Sequence, residues 1–290
     1  MAELTTFNDL MKACAQNGKN ISEIAVAKEC ALSETTPEIV RERVLKIINT
    51  MRKTVKTGLK STELSASGQC GDDCAKLQEA YKRRVPLFGK MFEKITTYAL
   101  ASIEENARMG IITACPTAGS CAIVPAVLIA VSEEQNIDDD KIIDALITAG
   151  LVGEIIAAKV APAGAAAGCQ AECGTAAAMA AAALVTFENG TPRQTVHAAA
   201  LALKNILGLT CDPVAGLVEI PCVKRNVFMA IHAVTAAELA LAGIESKIPP
   251  DEVLDAMAQT GKLMSPMLKE SSEAGLAKTA TALKIEELMS

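Results

Sequence analysis

Apolar residues recur at helical spacing over 3–16, 37–57, 88–107, 121–132, 139–158, 174–187, 193–207, 223–242 and 250–262, and no alternating stretch of comparable length competes with them. The pattern predicts an all-α chain, a single domain over 1–290 built from antiparallel helical hairpins, with residues 1–60 supplying N-terminal helices. Helix starts are written into it. "TPEIVRERV" reads as an N-cap at Thr36 with proline at the first helical position, and "IPPDEVLDAM" opens with Pro250 and two acids in its first turn. Two segments break the periodicity: the polar "STELSASGQCGDDC" at 61–74, and "CPTAGS" at 115–120, which interrupts an apolar run before a helix starts near Cys121. A small-residue loop opening onto a helix can grip a carboxylate with its backbone amides, or it can simply connect.

The hairpins predict where chain ends meet. A helix from Gln170 to Phe187 climbs roughly 27 Å, "ENGTP" turns the chain, and a second helix to Leu207 descends about 24 Å. Cys169 and Cys211 should therefore finish at the same end, with Cys222 held nearby by the proline-bounded loop that follows Cys211. The preceding hairpin, 121–132 and 139–158, brings Thr117 and Ser120 toward that end as well.

Composition narrows the function. Half the residues are hydrophobic, but five phenylalanines, two tyrosines and no tryptophan leave alanine to do most of the packing. The formal charge is −6 with no polybasic run, which argues against nucleic acid. Charges in "MAELTTFNDLMKACAQNGKN" fall where a signal peptide needs an apolar core, so a cytoplasmic chain is expected. The uncharged stretch 109–132 is long enough to span a membrane, but Pro116, Gly119, Ser120 and Pro125 interrupt it, and no span is expected.

Ten cysteines in a cytoplasmic chain point to metal, redox chemistry or plain burial rather than disulfides. No C-x-x-C pair occurs, against thioredoxin-like and zinc-finger spacing. Cys169, Cys211 and Cys222 at one end could seat zinc or an iron-sulfur cluster, with Lys224 and Arg225 offsetting its charge; they could equally be buried small hydrophobes. Cys173, four residues after Cys169, can share its helical face, and as a fourth ligand it would close the site.

"CPTAGSCAIVPAVL", "GCQAECGTAAAMAAAALV", "TPRQTVHAAALALKNILGLTCDPVAGLVEIPCVKRN" and "IPPDEVLDAM" resemble the α chain of the iron-sulfur-dependent L-serine dehydratases, from about residue 60 to about 275. The resemblance implies a four-iron four-sulfur cluster, without pyridoxal phosphate, that eliminates water from L-serine to give pyruvate and ammonia. It carries the cluster ligands onto Cys169, Cys211 and Cys222, leaves Cys173 a non-ligand, and places the threonine beside the substrate at Thr117, with Gly119 and Ser120 in the same loop. Open iron would bind the substrate hydroxyl, while Thr117, Ser120 and loop amides would hold its carboxylate. Single-chain members carry an additional N-terminal domain. This chain begins with the helical part, so a β subunit completing the site, in an oligomeric enzyme, is expected.

The departures concern the pocket. Cys115 and Cys121 bracket "PTAGS", Ala122 stands where glycine is usual, and "GLAKTATALK" replaces a threonine-proline-threonine-glycine pattern. No cysteine follows Cys222, so a thiol capping the fourth iron from the C-terminus is not expected. His197 and His232 lie in apolar helices and read as core residues, so no general base is assigned. Three alternatives stand beside the leading one: a closed-cluster electron carrier or redox sensor completed by Cys173, a cluster-free helical partner protein, and a lyase for another small amino or hydroxy acid.

Overall fold

The computed structural model describes residues 4–289. Thirteen α-helices follow one another among them: α1 (Phe7–Asn17), α2 (Ile21–Leu32), α3 (Pro37–Gly58), α4 (Asp73–Arg83), α5 (Gly89–Ala107), α6 (Ile123–Gln135), α7 (Asp139–Lys159), the single turn α8 (Gly164–Ala167), α9 (Cys169–Phe187), α10 (Pro192–Lys204), α11 (Cys222–Leu241), α12 (Pro250–Leu263) and α13 (Ala280–Met289). The described residues form no strand, only an isolated parallel bridge between Cys211 and Lys269. The all-α expectation holds.

Every periodic segment contains a helix, and α2, α4, α8 and α13 are additions to them. The helix expected from Gln170 begins at Cys169, directly after Gly168, whose left-handed φ of 78° turns the chain out of α8. Thr36 and Pro37 sit at the start of α3 as expected, although the Thr36 hydroxyl makes no capping bond.

Helix α9 lies at the centre, packed by α6, α7, α10 and α11. All its residues are buried except Glu172 and Thr186. A helix apolar on every side must be surrounded, and its alanines let four neighbours approach closely. One large core runs from α1 to α12 around it, and a smaller cluster of Cys70, Cys74, Leu100, Ile103, Cys121 and Val223 lies where α4 and α5 meet α11.

No helix among the described residues is long and apolar enough to cross a membrane. The 109–132 stretch is loop and turn up to Ala122, and the 13 residues of α6 that follow rise only about 20 Å.

Candidate metal and substrate site

The N-terminal end of α9 is where separate elements converge. Gln170, fully buried, locks that end: its N–H donates to the Leu209 carbonyl (3.0 Å), its Oε1 accepts from Gly208 N (2.9 Å) and its Nε2 donates to the Met257 carbonyl (3.2 Å). The chain leading to Cys211 is thereby tied to Cys169, as the hairpin geometry predicts. Cys211 is held from its other side by residues 268–276. Its N–H donates to the Leu268 carbonyl (2.9 Å), and its carbonyl accepts from Glu270 N (2.7 Å). After a tight 3-10 turn at Val214–Gly216, Cys222 opens α11.

The sulfurs of Cys169 and Cys173 lie 3.2 Å apart, one helical turn along the same face. That contact, helped by the Arg225 guanidinium, draws the Cys169 thiol below its ordinary range despite burial. Cys173, sharing the same contact and fully enclosed, is pushed well up. Burial and then the charge at Cys169 raise Cys211, and push Cys222 up to about 12. The charge at Cys169 thus reaches both Cys211 and Cys222. Oxygen and sulfur atoms of Cys169, Glu172 and Cys173 all lie within 4.8 Å of one another, a group that could hold a metal ion.

The donor set suits a thiophilic metal. Gly164 leaves room beside Cys211, since a Cβ there would stand 2.5 Å from the Cys211 sulfur. Thiols bind such metals deprotonated, so loading expels protons, and Arg225 is the cation at hand for the resulting charge. It is anchored by donating to the Thr210 carbonyl (2.8 Å) and to Asp212 (2.8 Å). Lys224, expected to share this task, is instead paired with Asp73 at the start of α4.

The "CPTAGS" loop joins the site through two side chains. Asn226, fully buried on α11, donates to the Gly119 carbonyl (2.8 Å) and the Cys222 carbonyl (3.0 Å) and accepts from Ala122 N (3.2 Å). Glu172 of α9 accepts from the Thr117 hydroxyl at 2.5 Å, and Thr117 Oγ1 lies 3.0 Å from Ser120 Oγ. Gly119 is required for this approach, because a Cβ there would stand 2.6 Å from the Glu172 carboxylate. Burial raises the Glu172 carboxyl above its ordinary value against the pull of the Thr117 bond. Thr117, Gly119, Ser120, Cys169, Cys211 and Cys222 thus share one neighbourhood. Sequence reasoning missed Glu172 and Asn226. The signal for Glu172 was present as the only charged residue in "CQAECGTAAAMAAAALVTF".

Other polar groups are accounted for elsewhere. Cys70, Cys74, Cys115 and Cys121 are buried, and burial pushes each up to about 12. His197 Nδ1 accepts from Ser246 N (3.2 Å) and His232 Nε2 meets the Ala202 carbonyl (2.7 Å), so both serve the fold, as expected. The 61–74 loop is pinned when Ser65 and Ser67 donate to the buried Glu219 (3.0 and 2.5 Å), which lies between Cys211 and Cys222 in the chain.

Comparison with known proteins fits this arrangement. Residues 16–277 match the family model described as serine dehydratase alpha chain. A probable L-serine dehydratase alpha chain of Bacillus subtilis is 45% identical over 92% of this chain and 89% of its own length. The L-serine dehydratase alpha chain of Peptoniphilus asaccharolyticus is 38% identical over 97% of each. An L-serine dehydratase of Helicobacter pylori is 37% identical over 96% of this chain but only 62% of its own length. The chain belongs to the serine dehydratase alpha chain family.

Proposed function

We propose that this chain is the α subunit of an L-serine dehydratase that converts L-serine to pyruvate and ammonia, with a four-iron four-sulfur cluster held by Cys169, Cys211 and Cys222. The observation that carries the reading is the union of two parts distant in sequence: the thiols at the start of α9, and the Thr117 hydroxyl bonded to Glu172 in that same first turn. When bound, the cluster supplies a Lewis acid that makes the substrate's β-hydroxyl a better leaving group.

The chain's own residues do the rest of the positioning. Thr117, only partly buried, is the side chain placed to touch substrate, and Gly119 and Ser120 form the small-residue wall beside it. Asn226 holds that wall at a fixed distance from Cys222, because one amide bridges both backbones. Orientation of this kind aligns the Cα–H bond that must break. With both histidines engaged in the fold, the remaining groups of the site fall to a partner. The Helicobacter pylori relative carries more than a third of its length beyond the matched region, room for such groups within one chain. A β subunit would supply them here, and the enzyme would work as an assembly of both chains.

The test is anaerobic co-expression with the β chain, followed by iron and sulfide analysis and a pyruvate assay with L-serine. Activity should accompany bound iron and sulfide, and Cys169→Ala, Cys211→Ala and Cys222→Ala should each lose both. A preparation that binds no iron after reconstitution, or three variants that keep it, would overturn the cluster assignment.

A further inference from the structure

Glu172 is the one charged side chain of α9 and stands in the first turn of an otherwise apolar helix. An acid in the first turn suits the helix dipole, but this one reaches across to the 117–120 loop and bonds Thr117. An ionised carboxylate only accepts hydrogen bonds. The Thr117 hydroxyl hydrogen is therefore committed to Glu172, and the 3.0 Å contact between Thr117 and Ser120 is donated by Ser120. The chain of bonds runs from Ser120 through Thr117 to Glu172, and it leaves Thr117 with a free lone pair and no hydrogen to offer.

The surroundings share this polarity. The amides of Cys121 and Ile123 are spent on carbonyls of their own loop, and that of Ala122 on Asn226. Glu270, beside Cys211, is close enough to Glu172 for the two carboxylates to repel. Two carboxylates thus stand close together at this end of α9, while Arg225, the cation nearest the thiols, is already paired with Asp212. With the free lone pair of Thr117 they would welcome a substrate's ammonium group.

We propose that Glu172, acting with the Thr117 oxygen, recognises the substrate's ammonium group and so selects 2-ammonio acids over the corresponding 2-hydroxy acids. The inference rests on the serine dehydratase reading for the identity of the site. It reverses the expectation that Thr117 and Ser120 hold the carboxylate, which must then be met by other groups.

Two unreactive probes that differ only at this group are L-alanine and L-lactate. Their binding is measured by calorimetry on the anaerobic holoenzyme with its β chain, for the wild type, Glu172→Gln and Glu172→Asp, with iron content and serine kinetics alongside. The wild type should favour L-alanine by at least about ten-fold, the scale of a charge-assisted hydrogen bond. Glu172→Gln should bring that ratio near one and raise KM for L-serine by about ten-fold or more, with iron content unchanged; Glu172→Asp should recover part of the preference. A wild type that binds L-lactate as well as L-alanine, or neither, overturns the proposal. So does a Glu172→Gln protein that keeps the preference or loses iron in step with it. Failure to form pyruvate from L-serine would instead strike the serine reading, and the alanine-to-lactate ratio would still decide the role of Glu172.

Discussion

Two residues show how much of the site depends on single contacts. Asn226 satisfies three buried backbone groups, two carbonyls and one amide, on two different elements. Asn226→Ala should therefore destabilise the protein by about 2–4 kcal/mol in denaturant unfolding, and serine turnover should fall further than stability explains because the 117–120 wall drifts from Cys222. Cys173 gives the opposite expectation. Its sulfur touches that of Cys169 one turn further along α9, and both thiols are buried; with Cys169, Cys211 and Cys222 as the proposed ligands, Cys173→Ala should keep its iron and lose about 1 kcal/mol at most. Iron loss equal to that of Cys169→Ala would favour the closed-cluster alternative. The sequence announces the thiols because cysteine is rare and its spacing can be laid on helices. It does not announce Asn226, whose role exists only once α11 lies against a loop more than a hundred residues away.

At the scale of elements, legibility followed burial. Helix α9 and its neighbours carry long apolar periods, and each was readable to within a few residues. Helix α13 was not: ten residues long, it buries only Ala282, so no apolar stripe marks it. Helix α2 was overlooked for its weak periodicity, although Asn20 and Glu23 spell a capping box that the structure realises. Helix α4 depends on a group outside itself. Glu104, fully buried on α5, accepts from the Asp73 and Cys74 amides (2.8 and 3.4 Å) at the start of α4, with Arg108 3.9 Å away. Burial raises its carboxyl above the ordinary 4.5 despite those bonds. A carboxyl raised on folding contributes stability that is fully present below the unfolded value and is lost as pH rises through the folded one. Wild-type stability should thus fall relative to Glu104→Gln as pH rises above the ordinary carboxyl value, and the two should converge at the acid end. Denaturant midpoints measured across that range check this, and parallel curves would refute it.

Across the whole molecule, the site is assembled by closure of distant chain rather than by any one hairpin. The hairpin arithmetic places Cys169, Cys211 and Cys222 at one end, but it gives no hint that residues 265–279 return against Cys211. That return rests on Asp212, which is buried, binds Arg225 through one oxygen at 2.8 Å, and takes the Leu276 amide with the other at 2.8 Å. Ser272 adds a bond to the Pro213 carbonyl (2.7 Å). The same carboxylate therefore fixes the cation beside Cys169 and the covering segment over Cys211. Removing one member of a buried, hydrogen-bonded ion pair leaves the other uncompensated, so Asp212→Ala should cost about 3–5 kcal/mol. Its second consequence separates closure from general loss of stability. Hydrogen exchange should rise first and most in residues 265–279 while α9 stays protected, and iron should leave faster on exposure to air than from Asn226→Ala adjusted to equal stability. Uniform exchange across the chain, with no excess iron loss, would show that Asp212 supports the fold at large and that the covering segment does not guard the thiols.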